Sequence, residues 1–240
     1  MASKSEVVIV HSSDLHLGSD SAGVAYPDRV AVLHQVLSAA DAVKADLLIL
    51  AGDTFDHNRQ PVELVDRIAQ IMGCFRAPIV ILPGNHDPLT PDSVYHNGSM
   101  SAAGNVCILG LTVDEAVVFP ELDLEIWGRA HFDYLDMSPL DSPRSRATRW
   151  QVAAAHGHYV EEPKESGRLL GSWLIRREEL LATAADYVAL GHWNRAARVG
   201  DDGIHAYYSG CPDYAGTINV VRLRAGGAVE VARAPLVMAT

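Results

Sequence analysis

Residues 77–88 read APIVILPGNHDP. The first half is a run of apolar, mostly branched residues that ends at Pro83–Gly84, the pattern of a short strand buried on both faces. The second half sets Gly84, Asn85, His86 and Asp87 in direct succession before Pro88. Gly84 and Pro88 suit a turn. Three consecutive polar heads, each able to bind a metal or move a proton, need a further reason. That reason depends on what the neighbouring strands bring alongside.

Upstream, EVVIVHS (6–12) reads as a buried strand and Pro27 to Lys44 as a helix, with Val30, Leu33, Val36, Leu37 and Ala40 on one side. DLLILAG (46–52) is a second strand. Pro61 to Phe75 is a second helix that opens on proline. With 77–84 as the third strand, the β-α-β-α-β order implies a parallel sheet with right-handed crossovers. After Asn105, NVCILG, EAVVFP and LEIWG lie close together and suggest an antiparallel or mixed sheet. RWQVAAAH (149–156) and ADYVALGH (185–192) return to long buried strands, separated by a short helix near Arg176–Thr183. The end, GTINVVRLRAGGAVEVARA, is a hairpin turning at Gly226–Gly227. The expectation is an α/β chain of two packed sheets with helices outside. No linker divides it, so residues 1–240 read as one domain.

Composition narrows the function. A net charge of −11 repels polyanions and argues against a broad nucleic-acid surface, though not against a local cationic site. The basic residues are nearly all Arg, and some cluster in SPRSRATRW (142–150) and at Arg176–Arg177. Two readings stay open there: a solvated loop, or an edge whose guanidinium forks contact phosphate. The apolar run in MASKSEVVIV is too short for a signal sequence, and no later stretch reaches roughly 18 apolar residues, so no membrane partner is expected. Cys74, Cys107 and Cys211 are widely spaced and form no CxxC pair, which points to a reducing cytoplasm.

Five predicted strands end in metal-type ligands. Asp14 and His16 follow the first, Asp53 and Asp56 the second, and Asn85, His86 and Asp87 the third; His156 and His192 follow the two later strands. Ligands in open α/β sheets bind outside the carboxyl ends of strands, so these groups should converge on one cleft. Two divalent cations about 3.5–4 Å apart can clamp the attacking and leaving oxygens of a displacement at phosphorus. Asp53 suits the bridging position, since a carboxylate offers several lone pairs. Asp14 and His16 complete one side, and Asn85, His156 and His192 the other. A bridging water would lose a proton to the metals and become the nucleophile. Two dications outweigh Asp14, Asp53 and a hydroxide, so the pocket stays attractive to phosphate.

In order and spacing, DLH, GDTFD, GNHD, HGH and GHWN resemble the calcineurin-like metallophosphoesterases over roughly residues 7–210. The flanks SSDLHLG and GDTFDHNR look most like the branch that contains DNA repair exonucleases of the SbcD type. The resemblance implies a four-layer α-β-β-α sandwich of two mixed sheets flanked by helices, with a dinuclear centre. Manganese is the first expectation for the metal, with iron, magnesium or zinc as alternatives. By resemblance, the ligands are Asp14, His16, Asp53, Asn85, His156, His192 and Asn194. His86 is the non-ligand histidine that protonates the leaving group or stabilises the transition state, and Asp87 orients it. Asn194 departs from the family's usual second histidine, which bears on the strength of one metal site or its preference for harder metals. His57, His131 and His158 are candidates for contacts to substrate or to the ligands.

The implied activity is hydrolysis of phosphodiesters by a metal-bridging hydroxide with His86 assisting, in the manner of a repair exonuclease. Two features favour a small-molecule phosphodiesterase or phosphomonoesterase instead: the acidic charge, and the few residues after the terminal hairpin for added DNA-capping segments. A catalytically silent scaffold of the same fold is the remaining reading. Retention of His86, which binds no metal, speaks against it. The expected partner is a phosphate ester, with nucleic acid one form of it.

Overall fold

A computed structural model of the chain describes residues 4–19, 29–161, 172–200 and 203–237. The first half holds β1 (Glu6–Ser12), α1 (Arg29–Ala42), β2 (Leu47–Ala51), α2 (Val62–Gly73), β3 (Ile79–Leu82), β4 (Val106–Ile108), β5 (Ala116–Phe119) and β6 (Leu124–Gly128). The second holds β7 (Trp150–His156), β8 (His158–Val160), β9 (Leu174–Arg176), α3 (Arg177–Ala182), β10 (Tyr187–Gly191), β11 (Ala197–Val199), β12 (Ala206–Tyr208), α4 (Pro212–Ala215), β13 (Thr217–Arg224) and β14 (Val229–Pro235). The expected start of α1 at Pro27 lies outside the described residues. The helix ends before Lys44, which adopts a left-handed φ of 56°.

One six-stranded sheet has the order β14-β13-β1-β2-β3-β4, the other β11-β12-β10-β7-β6-β5. Strands β1 to β4 run parallel, and the terminal hairpin adds two antiparallel strands beside β1. In the second sheet β6, β7, β10 and β12 run parallel between antiparallel edges β5 and β11. Strands β8 and β9 form a small parallel pair.

Period-2 alternation sorts the core into layers. Val8, Val10, Leu48 and Leu50 face α1 and α2, while Val7, Ile9, Leu47, Ile49 and Ala51 face the second sheet. Val152, Ala154, Tyr187 and Ala189 meet them from the other side. Ala153, Ala155, Val188 and Leu190 point outward to Leu180 of α3. The result is the four-layer α-β-β-α sandwich, with a thin outer layer on the second sheet because α3 is only 6 residues long.

The structure corrects one expectation and refines another. NVCILG does not join the later short strands; β4 extends the first sheet beside β3. The Asn105 amide donates to the Met72 and Phe75 carbonyls at 2.9 Å, which ties this strand to the end of α2. The arginines of 142–150 lie on an exposed loop, as the first of the two readings has it, and are also engaged in contacts. Arg146 pairs with Asp186 at 2.6 Å, Arg144 lies 3.7 Å from buried Glu125, and Arg149 lies over Trp150. They pin the loop to the second sheet.

A polar cluster lies in the layer between the sheets. His11 Nδ1 lies 2.9 Å from the Tyr187 hydroxyl, and the Asn219 amide donates to that hydroxyl at 3.3 Å. All three are buried. Burial holds His11 down to about 3. The folded protein therefore keeps His11 neutral in mild acid, whereas the unfolded chain takes up its proton near the ordinary value of 6.5. Between those pH values the unfolded state binds the extra proton, so stability falls as pH drops, by up to about 1.4 kcal/mol per pH unit. His11→Gln, which keeps a donor but cannot charge, is expected to flatten this dependence. The check is urea unfolding of both metal-free proteins between pH 4.5 and 6.5; identical slopes would remove His11 as the cause.

Candidate active site

The carboxyl ends of β1, β2 and β3 meet those of β7 and β10 at one edge of the sandwich. The loops after β1 and β2 stay zipped beyond the strands: Asp14 N donates to Gly52 O, His16 N to Asp53 O, and Leu17 N to Thr54 O, at 2.9–3.0 Å. The backbone bends sharply there. Asp14, His16, Asp53 and His192 have φ of 55°, 48°, 51° and 101°, a region non-glycine residues seldom occupy. Such residues cost of order 1–3 kcal/mol each and gather where function needs a special geometry.

Two glycines let the backbones approach. A Cβ on Gly191 would collide with the Ala51 carbonyl, and one on Gly84 with the Asp53 carboxylate. Through this gap His156 Nδ1 donates to Ala51 O at 2.9 Å, joining the tip of β7 to that of β2. Its Nδ1 must carry the proton, since a carbonyl only accepts. That leaves Nε2 aimed at Asp53 Oδ2, 3.0 Å away, and Asn85 Oδ1, 3.1 Å away. Asn85 Oδ1 is also 3.1 Å from His192 Nδ1. Asp53 Oδ1 accepts from the His86 amide at 2.9 Å.

Two groups of donor atoms result: Asp53, His156 and His192 in one, His16, Asp53 and His86 in the other, with the atoms of each within 4.8 Å of one another. Asp53 belongs to both. Asp14 sits behind them with its carboxylate bonded to the Ser13 hydroxyl and the His192 amide. Asn194 is exposed, and its side chain makes no hydrogen bond among the described residues. Its carbonyl accepts from Cys211 N at 3.1 Å.

The electrostatics fit divalent cations. Burial alone would raise Asp53, but the charge and hydrogen bond of His156, then His86 and His16, hold its carboxyl below the ordinary range. Burial would lower His156, but Asp53 and then Asp14 push it up to about 9. The proton on His156 thus serves the two buried carboxylates as their counter-charge. His192 is held down to about 4 by burial and by repulsion from His156, so its ring stays neutral and free to ligate. His16 Nδ1 lies 3.1 Å from Asp56 Oδ1 yet is not aligned to bond it, and remains buried without a hydrogen-bond partner. A donor set of carboxylate, amide oxygen and neutral imidazole with an unpartnered buried nitrogen suits a divalent metal.

Several placements differ from the sequence reading. Asp87 does not hold His86. Its buried carboxylate accepts from Gly84 N at 2.7 Å, Phe55 N at 2.9 Å and the Tyr95 hydroxyl at 2.6 Å, and so fixes the turn itself. Burial, then repulsion from Asp53, pushes it up to about 6 despite these donors. The group that holds the His86 ring is the Asp56 carbonyl, 2.9 Å from Nδ1. His131 is fully buried away from any substrate and takes the other expected place, against a ligand residue: Nε2 donates to the His156 carbonyl at 2.9 Å. His57 lines the cleft and lies 3.3 Å from the Gln60 amide. His158 is exposed and accepts from Trp193 Nε1 at 3.0 Å. Tyr134 and Trp173, both on the cleft wall, escaped the sequence reading because no motif surrounds them.

The chain is similar to known proteins. A family model described as calcineurin-like phosphoesterase matches residues 7–196. The SbcD component of the SbcCD nuclease of Bacillus subtilis (strain 168) is 26% identical over 266 residues, covering 91% of this chain and 66% of its own length. The chain thus spans just under two thirds of that relative. A solved crystal structure, 13% identical, covers 95% of this chain and 98% of its own with a TM-score of 0.58, which shows a shared fold.

Tyr95→Phe deletes one of three donors to a buried carboxylate. It is expected to lower unfolding free energy by about 1.5–3 kcal/mol. Denaturant unfolding at neutral pH measures it, and unchanged stability would contradict the role given to Asp87.

Proposed function

The chain belongs to the calcineurin-like phosphoesterase family of metal-dependent phosphate-ester hydrolases, and on that footing we propose that it cleaves phosphodiesters with two divalent cations held about Asp53. The observation that carries this reading is the position of Asp53, whose carboxylate lies within 4.8 Å of a ring nitrogen of His16 on one side and of His156 and His192 on the other. Asp14, His16 and Asp53 would hold one ion, with Asn194 at its rim; Asp53, Asn85, His156 and His192 would hold the other. The mixture of carboxylate and amide oxygens with imidazole favours manganese. When bound, the ions supply Lewis acidity and activate water.

His86 acts on the leaving group. Its Nδ1–H is fixed on the Asp56 carbonyl, so only Nε2 is left for substrate. Proton delivery from Nε2 requires the imidazolium: as the bond from phosphorus to the leaving oxygen breaks, that proton passes to the oxygen and His86 becomes neutral. Asp87, Tyr95 and Gly84 keep the turn rigid, so His86 does not drift during the step. The SbcD-like motif flanks support DNA as one substrate. The acidic charge and a cleft of about 610 Å³ support a small diester. All three cysteines are unpaired and no helix among the described residues is long and apolar enough to cross a membrane; we place the enzyme in a reducing cytoplasm.

The test is to strip the metal, reconstitute with Mn²⁺, and compare bis-p-nitrophenyl phosphate, p-nitrophenyl phosphate and single- and double-stranded DNA. DNA degradation supports the nuclease, and diester turnover alone a small-molecule enzyme. Two bound ions without turnover of any ester would sink the proposal in favour of a silent scaffold. His86→Ala is expected to bind metal normally and lose about 10²–10⁴ in kcat.

Metal uptake should also release a proton. His156, pushed up to about 9, holds a proton at pH 7.5 that a cation on Nε2 must displace. Affinity is expected to rise toward pH 9, and calorimetry in buffers of different ionisation enthalpy to report about one proton released. Affinity independent of pH between 6.5 and 8.5 would contradict it.

A further inference from the structure

The cleft beside Asn85 and His86 has a second wall, made by Tyr134, Trp173 and Arg59. Both rings are fixed by their polar ends. The Tyr134 hydroxyl accepts from the Asn58 amide at 3.3 Å, and Asn58 is buried and bonded to the Pro88 carbonyl at 2.9 Å. Trp173 Nε1 donates to the Leu135 carbonyl at 2.9 Å, and its backbone amide donates to Asp136 at 2.6 Å. The segment that carries Tyr134 is in turn tied to the GNHD turn: His131 N donates to Pro83 O at 3.2 Å and Leu89 N to His131 O at 2.7 Å. Ring orientation is therefore set by the same turn that places His86. Tyr134 is nonetheless 60% exposed. Trp173 is half-buried, its ring meeting those of His131 and His192 edge-on at 5.4 and 5.8 Å. Two aromatic rings with engaged polar ends on one cleft wall offer a surface on which a planar group can stack.

Charge agrees with a phosphate-bearing occupant. Arg59 is exposed on the cleft wall and makes no ion pair among the described residues. The acids near it are engaged: Asp92 accepts from the Thr90 hydroxyl at 2.7 Å, and Asp56 abuts His16. The cleft volume of about 610 Å³ lies in the range of small-molecule sites, roughly 300–1,000 Å³.

We propose that Tyr134 and Trp173 form a base-stacking subsite, and that the natural substrates are nucleotide phosphodiesters whose base lies on these rings while Arg59 meets a neighbouring phosphate. This inference rests on the phosphodiesterase reading and names its substrate class. Hydrogen bonds would distinguish one base from another, but every base has a π-face, so this wall favours the presence of a base over its identity.

The test is equilibrium binding to the full chain with Mn²⁺, comparing thymidine 5′-monophosphate with deoxyribose 5-phosphate, which lacks only the base. Stacking is worth about 5- to 150-fold per base. The wild type is expected to prefer the nucleotide by about 10-fold or more. Tyr134→Ala and Trp173→Ala should each shrink that ratio, and Trp173→Phe should keep it. Arg59→Gln should leave the ratio unchanged, because both ligands carry the same single phosphate. Equal affinity of the wild type for the two ligands, or a ratio indifferent to both alanine variants, would overturn the subsite. Hydrolysis of bis-p-nitrophenyl phosphate, measured in parallel, reports separately on the reading beneath it. Turnover without base preference removes only the subsite; base preference without turnover keeps the subsite and removes the reaction.

Discussion

The hydrogen bond from His156 to the Ala51 carbonyl is the contact on which the site depends. It fixes which nitrogen of His156 is free, directs that nitrogen at Asp53, and locks the two sheets in register at their carboxyl ends. A sandwich of two sheets leaves a dry layer between them and a wet rim around it. Only at the rim, where the strands stop, can carboxylates and imidazoles from both sheets meet without burying charge in hydrocarbon. The parallel core of each sheet ensures that several strands stop at the same edge.

That arrangement carries a conformational cost. Four of the groups that converge there adopt left-handed backbone, and two carboxylates are buried close together. The compensation is local. Amides of one loop bond the carbonyls of the next, and the Asp87 carboxylate gathers three donors from three separate segments. The protonated His156 neutralises part of the remaining charge until a stronger cation takes its place. Stability and readiness for metal thus draw on the same carboxylates.

Much of this was legible in the residues. The near-unbroken apolar runs of β1, β2, β7 and β10 marked strands buried on both faces, and therefore layers on either side of each sheet. The ends of those strands revealed the polar groups, since metal chemistry admits few residue types. The partner of His86 was not legible. Asp87 is adjacent in sequence, but adjacent residues in a tight turn point apart, and the ring bonds a backbone carbonyl that no side-chain pattern encodes. The role of Tyr95 was hidden for a related reason: it meets Asp87 only through the path of the chain after the turn. β4 was misplaced because a three-residue strand has too little periodicity to declare its sheet, and the Asn105 amide that places it looks in sequence like any loop asparagine. Tyr134 and Trp173 converge from segments about forty residues apart, a closeness that arises only in three dimensions.

The bare backbone contact at Gly191 also makes the two sheets a single mechanical body at this edge. With no side chain between β10 and the Ala51 carbonyl, there is no compressible spacer to yield. Widening the mouth by pushing strand tips apart would wedge open the whole sandwich. Adaptation to bulkier esters is therefore channelled into the loops that overhang the rim, which can be lengthened or recoloured residue by residue while the strand tips stay untouched.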